Sequence, residues 1–214
     1  VSGGAVAAML AIAAAYALGS LSGALLVGRL RGGVDIRTLG SGNAGGTNAL
    51  RTQGPWFALG VVVIDFGKGW LAAAVLPGLA LRGGAHHDWL PAACAFAAMA
   101  GHVWPVWFGF RGGKGAATLV GALLGLSPVA LAVVLAAWLV MVMVFGFVGL
   151  ASMAATAVLP LYVAMAGVEP FVPMCLFGIA AAVLVIYTHR GNIVRMRAGT
   201  EPRARRLWLL GRLR

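Results

Sequence analysis

Long apolar blocks alternate with short polar ones along this chain. A helix needs ~20 mostly apolar residues to cross a bilayer. Blocks over 5–27, 56–81, 89–108 and 170–188 meet that need. Between 115 and 168 no charged residue occurs, and that stretch is too long for two comfortable crossings. Its breaks fall at Ser127-Pro128 and around 146–152. The pattern predicts three helices there, over about 115–127, 129–147 and 151–167, the first of them short. The expected fold is therefore all-α: a polytopic integral membrane bundle of seven transmembrane helices. Five crossings keep the same parity if 115–168 crosses once with re-entrant pieces. The first block is too long and too rich in Ala and Gly for a signal peptide, and Tyr16, Ser20 and Ser22 interrupt it.

Composition agrees. The 214 residues are 61% hydrophobic and only 10% charged, against roughly 25% charged in a soluble domain. With 32 glycines and a mean hydropathy of +0.95, a water-soluble globule, a disordered chain and a disulfide scaffold are all excluded. Cys94 and Cys175 lie far apart in apolar blocks, without Cys-x-x-Cys, and read as small buried residues.

A net charge of +11 would suggest a nucleic-acid partner in a soluble protein. Here the basic residues sit between apolar blocks, so no nucleic-acid partner is expected. Fourteen of the 16 Lys and Arg fall within 29–51, 111–114 and 190–214. Lys68 lies inside a block, and Arg82 is the one cation on the other side. By the positive-inside rule the three basic stretches face the cytoplasm, with the N-terminus outside and the C-terminus cytoplasmic. A site for an anionic substrate is the second reading of the same charge. Trp56, Trp89, Trp104 and Trp107 stand near block ends, as interfacial anchors do. Asp65 and Lys68, three apart, share a helix face; they either neutralise one another or contribute to a site.

Three polar clusters lie on the inferred cytoplasmic side. The first contains Gly40, Ser41, Gly42, Asn43, Gly45, Gly46, Thr47, Asn48 and Arg51. Closely spaced glycines let backbone N–H groups turn toward one anion, while Ser, Thr and Arg add donors. A bland polar loop has a similar composition. Gly40, Gly42 and Gly45 match G-x-G-x-x-G, but a dinucleotide site needs a strand before it, and both flanks here are spans. The second cluster runs from Gly101-His102 to Arg111-Gly112-Gly113-Lys114-Gly115. A Walker A loop would need Gly at 108 and Ser or Thr at 115, where Phe108 and Gly115 stand. Two cations suffice for membrane anchoring, but the glycines favour an anion site. The third cluster is His189-Arg190-Gly191-Asn192-Ile193, followed by Arg195, Gly199 and Glu201. Beyond it, arginines alternate with Leu and Trp208 in a surface segment suited to anionic lipid. The four His (86, 87, 102 and 189) have no Cys or carboxylate at ligand spacing, so no metal site is expected. No His-x-x-x-x-Asp arrangement occurs either.

Taken in order, the three clusters resemble the PlsY family of bacterial acyl-phosphate:glycerol-3-phosphate acyltransferases. The resemblance covers about residues 10–201. Gly46 stands where the family usually has Ala, Gly149 and Ser152 stand for its serine pair, and the tail is longer and more basic. The resemblance implies transfer of a fatty acyl group from acyl phosphate to the 1-hydroxyl of glycerol 3-phosphate. The products are 1-acyl-glycerol 3-phosphate (lysophosphatidic acid) and phosphate, in the first acylation of bacterial phospholipid synthesis. It implies no cofactor, no metal and no obligate protein partner. Its partners are the two substrates and membrane lipid, and its location is the bacterial plasma (inner) membrane with the site facing the cytoplasm. It carries catalysis to His189, Asn192, Lys114, Ser41 and Arg51. It carries phosphate binding to Gly42, Asn43, Thr47, Asn48, Arg111, Gly112, Gly113, Ser152 and Glu201. Residues 1–201 are expected to form a single acyltransferase domain, and 202–214 a basic cytoplasmic tail. An acyl phosphate already has a good leaving group, so the hydroxyl can attack directly. The donor's phosphate then accepts the proton with His189 and Asn192 positioning it, or His189 acts as general base. A transporter of phosphorylated solutes is the alternative from another class.

Overall fold

The computed structural model describes residues 3–81 and 87–212. Arg82 and His86, and Leu213 and Arg214, on which sequence expectations fall, lie outside the described residues. Every regular element among the described residues is helical. The α-helices are α1 (Gly3–Gly19), α2 (Gly23–Leu30), α3 (Gly46–Gln53), α4 (Pro55–Trp70), α5 (Leu76–Leu81), α6 (Leu90–Val103), α7 (Ala116–Leu126), α8 (Pro128–Phe145), α9 (Val148–Ala166), α10 (Phe171–Thr188) and α11 (Arg190–Arg197), with short 3-10 turns at Ile36–Thr38, Val106–Phe108 and Leu210–Arg212. A π turn, Leu71–Val75, joins α4 to α5. The helices form two compact units, Val1–Leu126 and Ser127–Arg214.

Among the described residues five helices are long and apolar enough to cross a membrane: Pro55–Ala80, Leu90–Phe108, Pro128–Phe145, Val148–Ala166 and Phe171–Thr188. A sixth is reached if α1 and α2, bent by 48°, count as one span. The expected fourth crossing is α7, with 11 residues. At ~1.5 Å per residue it reaches only ~17 Å of a ~30 Å hydrocarbon layer. The first apolar block is not one straight helix either. Between its halves, Ser20 Oγ donates to Tyr16 O at 2.9 Å, and Gly23 N, at the start of α2, donates to Asp65 Oδ1 at 3.0 Å. The polar stretch before α4 also contains an unforeseen helix, α3, and α11 follows the last long span.

In the first unit small residues let helices approach backbone to backbone. A Cβ added at Gly121 would meet Phe66 O, and one at Gly69 would meet Thr118 O, so α4 and α7 touch along a glycine seam. A Cβ at Gly101 would meet Tyr16 O, and one at Gly19 would meet Ala98 O. Alanines Ala8, Ala11, Ala15 and Ala98 complete that α1–α6 seam. A second core, with Ala24, Ile36, Ala44, Ala49, Phe57 and Val61, fastens the loop before α3 onto α2 and α4. In the second unit Ser127 Oγ caps α8 by accepting from Ala130 N at 3.2 Å, and Pro128 occupies the first turn. Gly178 of α10 faces Pro160 of α9, where an added Cβ would lie 3.2 Å from the proline Cα. Large side chains point outward instead: Leu59 and Val63 on α4, Leu139 and Val140 on α8, Leu176 and Val183 on α10. Small residues inside and large apolar ones outside suit a protein solvated by lipid.

Gly121→Ala should therefore lower thermal stability in detergent by ~1–3 kcal/mol, because its methyl meets a backbone carbonyl. Gly67→Ala, on the same seam-forming helix but with open space around it, should be neutral or stabilising by up to ~1 kcal/mol. Equal unfolding temperatures for the two variants would contradict the seam.

Candidate functional site

The first polar cluster is shaped by one buried amide. Asn48, 1% exposed, donates from Nδ2 to Ile36 O and Leu39 O, each at 3.0 Å. Its Oδ1 accepts from Ser41 N at 2.9 Å. Asn48 thus gathers residues 36–41 into a tight loop. Gly40 and Gly42 turn through φ +56 and +72, values that disfavour other residues. An added Cβ at Gly40 would also meet Asn48 Oδ1. Thr47 and Arg51, four apart on α3, share one exposed face.

The second cluster folds back on the end of α6. Gly112 N donates to Val103 O and Gly113 N to His102 O, both at 3.1 Å. A Cβ at Gly113 would meet His102 Nε2, and would lie 2.8 Å from Ala44 O. The glycine backbone therefore passes between the His102 ring and the first cluster. Arg37 ties the two clusters together. Its Nη1 donates to Phe108 O and Arg111 O, each at 3.0 Å. Asp35 holds the other edge of the guanidinium, accepting from Nε at 3.0 Å and from Nη2 at 2.7 Å. Hydrogen bonding to Arg37 holds the Asp35 carboxyl below the usual carboxylate range.

Five backbone donors of these loops are used internally. Besides those of Gly112 and Gly113, Ser41 N donates to Asn48, Gly42 N to Leu39 O and Gly45 N to Asn43 O. Gly42, Gly45, Gly112 and Gly113 therefore serve close approach and turn geometry, with their N–H groups engaged within the protein. What the loops present outward is the side chains of Ser41, Thr47, Arg51 and Arg111, all exposed, and Lys114, half-buried. Asn43 is half-buried beside them. Beneath lies the Asp65–Lys68 pair. It forms at 2.9 Å, and His102 joins it, with Nδ1 2.8 Å from Lys68 Nζ.

The second unit builds its own polar group. His189 ends α10, and its Nδ1 lies 2.7 Å from Val185 O. A carbonyl only accepts, so Nδ1 carries the proton and Nε2 is the acceptor nitrogen. Glu201 returns to α11 and accepts from Asn192 Nδ2 at 2.6 Å and from Arg195 Nε at 2.7 Å. Gly149 lets Asn192 pack on α9; an added Cβ would lie 2.8 Å from Asn192 Nδ2. Ser152 donates to Val148 O at 3.0 Å and accepts from Trp138 Nε1 at 3.3 Å. The basic tail packs on the α8–α9 corner. Ala204 N donates to Gly146 O at 2.8 Å, and Arg203 stacks on Phe147 and Trp208.

Among the described residues no three His, Cys, Asp or Glu side chains cluster as metal ligands. Sequence reasoning missed Arg37 as a tie between clusters and the roles of Trp138 and Gly149. The Asp35-x-Arg37 spacing was the available signal for the first; the others depend on packing between helices.

The model of the family "Glycerol-3-phosphate acyltransferase" matches residues 9–199. The chain belongs to the glycerol-3-phosphate acyltransferase family. It is 41% identical over 197 residues to a glycerol-3-phosphate acyltransferase of Parasynechococcus marenigrum (strain WH8102), covering 92% of this chain and 89% of the relative. It is 43% identical over 199 residues to that of Gloeobacter violaceus, covering 89% and 92%. A crystal structure of PlsY (YgiH), an integral membrane glycerol 3-phosphate acyltransferase, in its glycerol 3-phosphate form is similar with a TM-score of 0.82. The identity is 35%, over 92% of this chain and 94% of that one. The lysophosphatidic acid form gives a TM-score of 0.80 at 34% identity, with the same coverage. This acyltransferase family member is an integral membrane protein, and the transporter reading has no support from its relatives.

Asp35 gives a pH test. Its folded carboxyl titrates below the unfolded value of ~3.9, so the pair's stabilisation is present above that value and fades as pH falls through the folded one. The unfolding temperature of the parent should exceed that of Asp35→Asn by a constant margin from pH 7 to about 5, narrowing below about 4. A margin unchanged down to pH 3 would contradict the ion pair.

Proposed function

We propose that this chain transfers a fatty acyl group from acyl phosphate to the 1-hydroxyl of glycerol 3-phosphate, releasing lysophosphatidic acid and phosphate. The observation that carries this reading is the likeness, across nine-tenths of both chains, to PlsY in its glycerol 3-phosphate and lysophosphatidic acid forms. The geometry of each unit supports it. In the first, Arg51, Arg111 and Lys114 with the Ser41 and Thr47 hydroxyls provide cations and donors for phosphate oxygens. Gly42, Asn43, Asn48, Gly112 and Gly113 shape the loops that present them. In the second, Glu201 orients Asn192, and the Val185 carbonyl orients His189. Ser152 takes the place of a family serine.

The hydroxyl oxygen attacks the acyl carbonyl carbon. The carbon–oxygen bond to phosphate then breaks, and its electron pair leaves with the phosphate. The hydroxyl proton passes to that phosphate, with His189 and Asn192 positioning the hydroxyl. The acyl chain stays in the bilayer, where burial contributes ~0.8 kcal/mol per CH₂. Neither cofactor, metal nor obligate protein partner enters the scheme. Seven crossings, with α7 the short fourth, put the N-terminus outside and the basic stretches in the cytoplasm. The setting is the bacterial plasma (inner) membrane. Residues 1–201 act as one acyltransferase domain, and 202–214 form a cytoplasmic tail.

Purified protein supplied with palmitoyl phosphate and glycerol 3-phosphate should form lysophosphatidate and phosphate one to one, and palmitoyl-CoA should not replace the donor. Arg51→Ala, Lys114→Ala and Asn192→Ala should each lose roughly 10²–10³ in kcat/KM. His189→Gln should retain substantial turnover if the ring positions substrate, and lose it if the ring is the base. Near-normal activity in all three alanine variants would overturn the assignment.

A further inference from the structure

Lys68 is buried with all three ammonium protons accounted for. Its Nζ lies 2.9 Å from Leu21 O, 2.9 Å from Asp65 Oδ1 and 2.8 Å from His102 Nδ1. An ammonium only donates, so His102 Nδ1 accepts and the neutral ring carries its proton on Nε2. Asp65 Oδ1 also accepts from Gly23 N at 3.0 Å, at the break between α1 and α2. The ring, 2% exposed, is thus held by directed bonds on one edge. Its other edge lies against Gly113, whose Cα leaves no room for a methyl between His102 Nε2 and Ala44 O. A charge pair at this depth has no general advantage over well-packed apolar residues. What it supplies is direction. It fixes the plane of a ring on which the Gly112-Gly113-Lys114 segment rests, next to the first loop.

We propose that Asp65, Lys68 and His102 are positioning residues for phosphate binding: they set the height and register of the Lys114 segment against the 40–48 loop. None of the three touches the reacting atoms in this scheme; they act through Gly113. The inference rests on the acyltransferase reading for its substrates, but not for its ligand chemistry, which is an oxyanion held by the Lys114 and Arg51 side of the unit.

The test uses the full chain in detergent with Asp65→Asn and Lys68→Met combined, so that no lone charge is left buried. Three readouts are taken: binding of inorganic phosphate by calorimetry, KM for each substrate, and kcat. Loss of positioning should weaken phosphate binding, and raise at least one KM, by about tenfold or more, with kcat changed by less than about threefold. The unfolding temperature is measured alongside, so that binding and kinetics are compared at equal folded fraction. Unchanged phosphate affinity and unchanged KM values would overturn the proposal, as would a loss confined to kcat in proportion to lost folded protein. If the double variant does not accumulate, Gly113→Ala approaches the same contact from the loop side. It should give the same rise in phosphate Kd and KM, and unaltered values would overturn the proposal equally. A parent that binds phosphate but turns over neither substrate would instead remove the acyltransferase reading, while the Kd shift still decides the positioning role.

Discussion

The first unit depends on an ammonium buried among helices. Lys68 is 3% exposed, and stripping one partner from such a pair costs ~3–5 kcal/mol. Its three bonds reach the α1–α2 break, α4 and the last turn of α6. Those segments must therefore meet at one point, and the chain leaving α6 must start from it. Gly112 and Gly113 then donate back to Val103 O and His102 O, so the second polar loop is an extension of that fixed point. Ala44 brings the first loop to the same place, because its carbonyl faces Gly113.

Small residues and cations divide the work. Glycine at 69, 101, 112, 113 and 121 places backbone where any side chain would collide with backbone or ring. The N–H groups of Gly42, Gly45, Gly112 and Gly113 are bonded within the protein, and the outward side-chain chemistry falls to Ser41, Thr47, Arg51, Arg111 and Lys114. Arg37 serves differently. Its planar fork joins Asp35 to two carbonyls of the second loop, a geometry that lysine does not reproduce. In the second unit the same economy appears in Glu201, whose two oxygens serve Asn192 and Arg195 separately.

Much of this was legible in the sequence. Span positions follow from apolar block length, which needs no knowledge of packing, and the five long spans fall where the blocks do. The three clusters stand out because closely spaced Gly, Ser, Thr and Asn accompany the Arg and Lys that cytoplasmic span ends ordinarily carry. The bend near Ser20 was not legible, since the break between α1 and α2 faces Asp65 and Lys68 of α4. Nor was α3 visible, because eight residues starting Gly46-Thr47 give a weak helical pattern. Asn48 looked like a ligand donor, yet its amide is used to close the loop. Gly149, which departs from the expected serine, is explained by Asn192 packing on it. The bend and the Gly149 packing both depend on partners far away in sequence.

The proposed chemistry requires every basic stretch to face the compartment that holds glycerol 3-phosphate. Single cysteines at positions 41, 111 and 197, each in a chain with Cys94 and Cys175 replaced by Ala, allow that to be measured. A fourth chain carries Asp88→Cys as the reference for the other side. Cells are treated with a membrane-impermeant maleimide before and after permeabilisation. Labelling of 41, 111 and 197 only after permeabilisation, with 88 labelled in intact cells, is the pattern expected. Reaction of any of the first three from outside would separate the clusters across the bilayer and contradict the transfer mechanism.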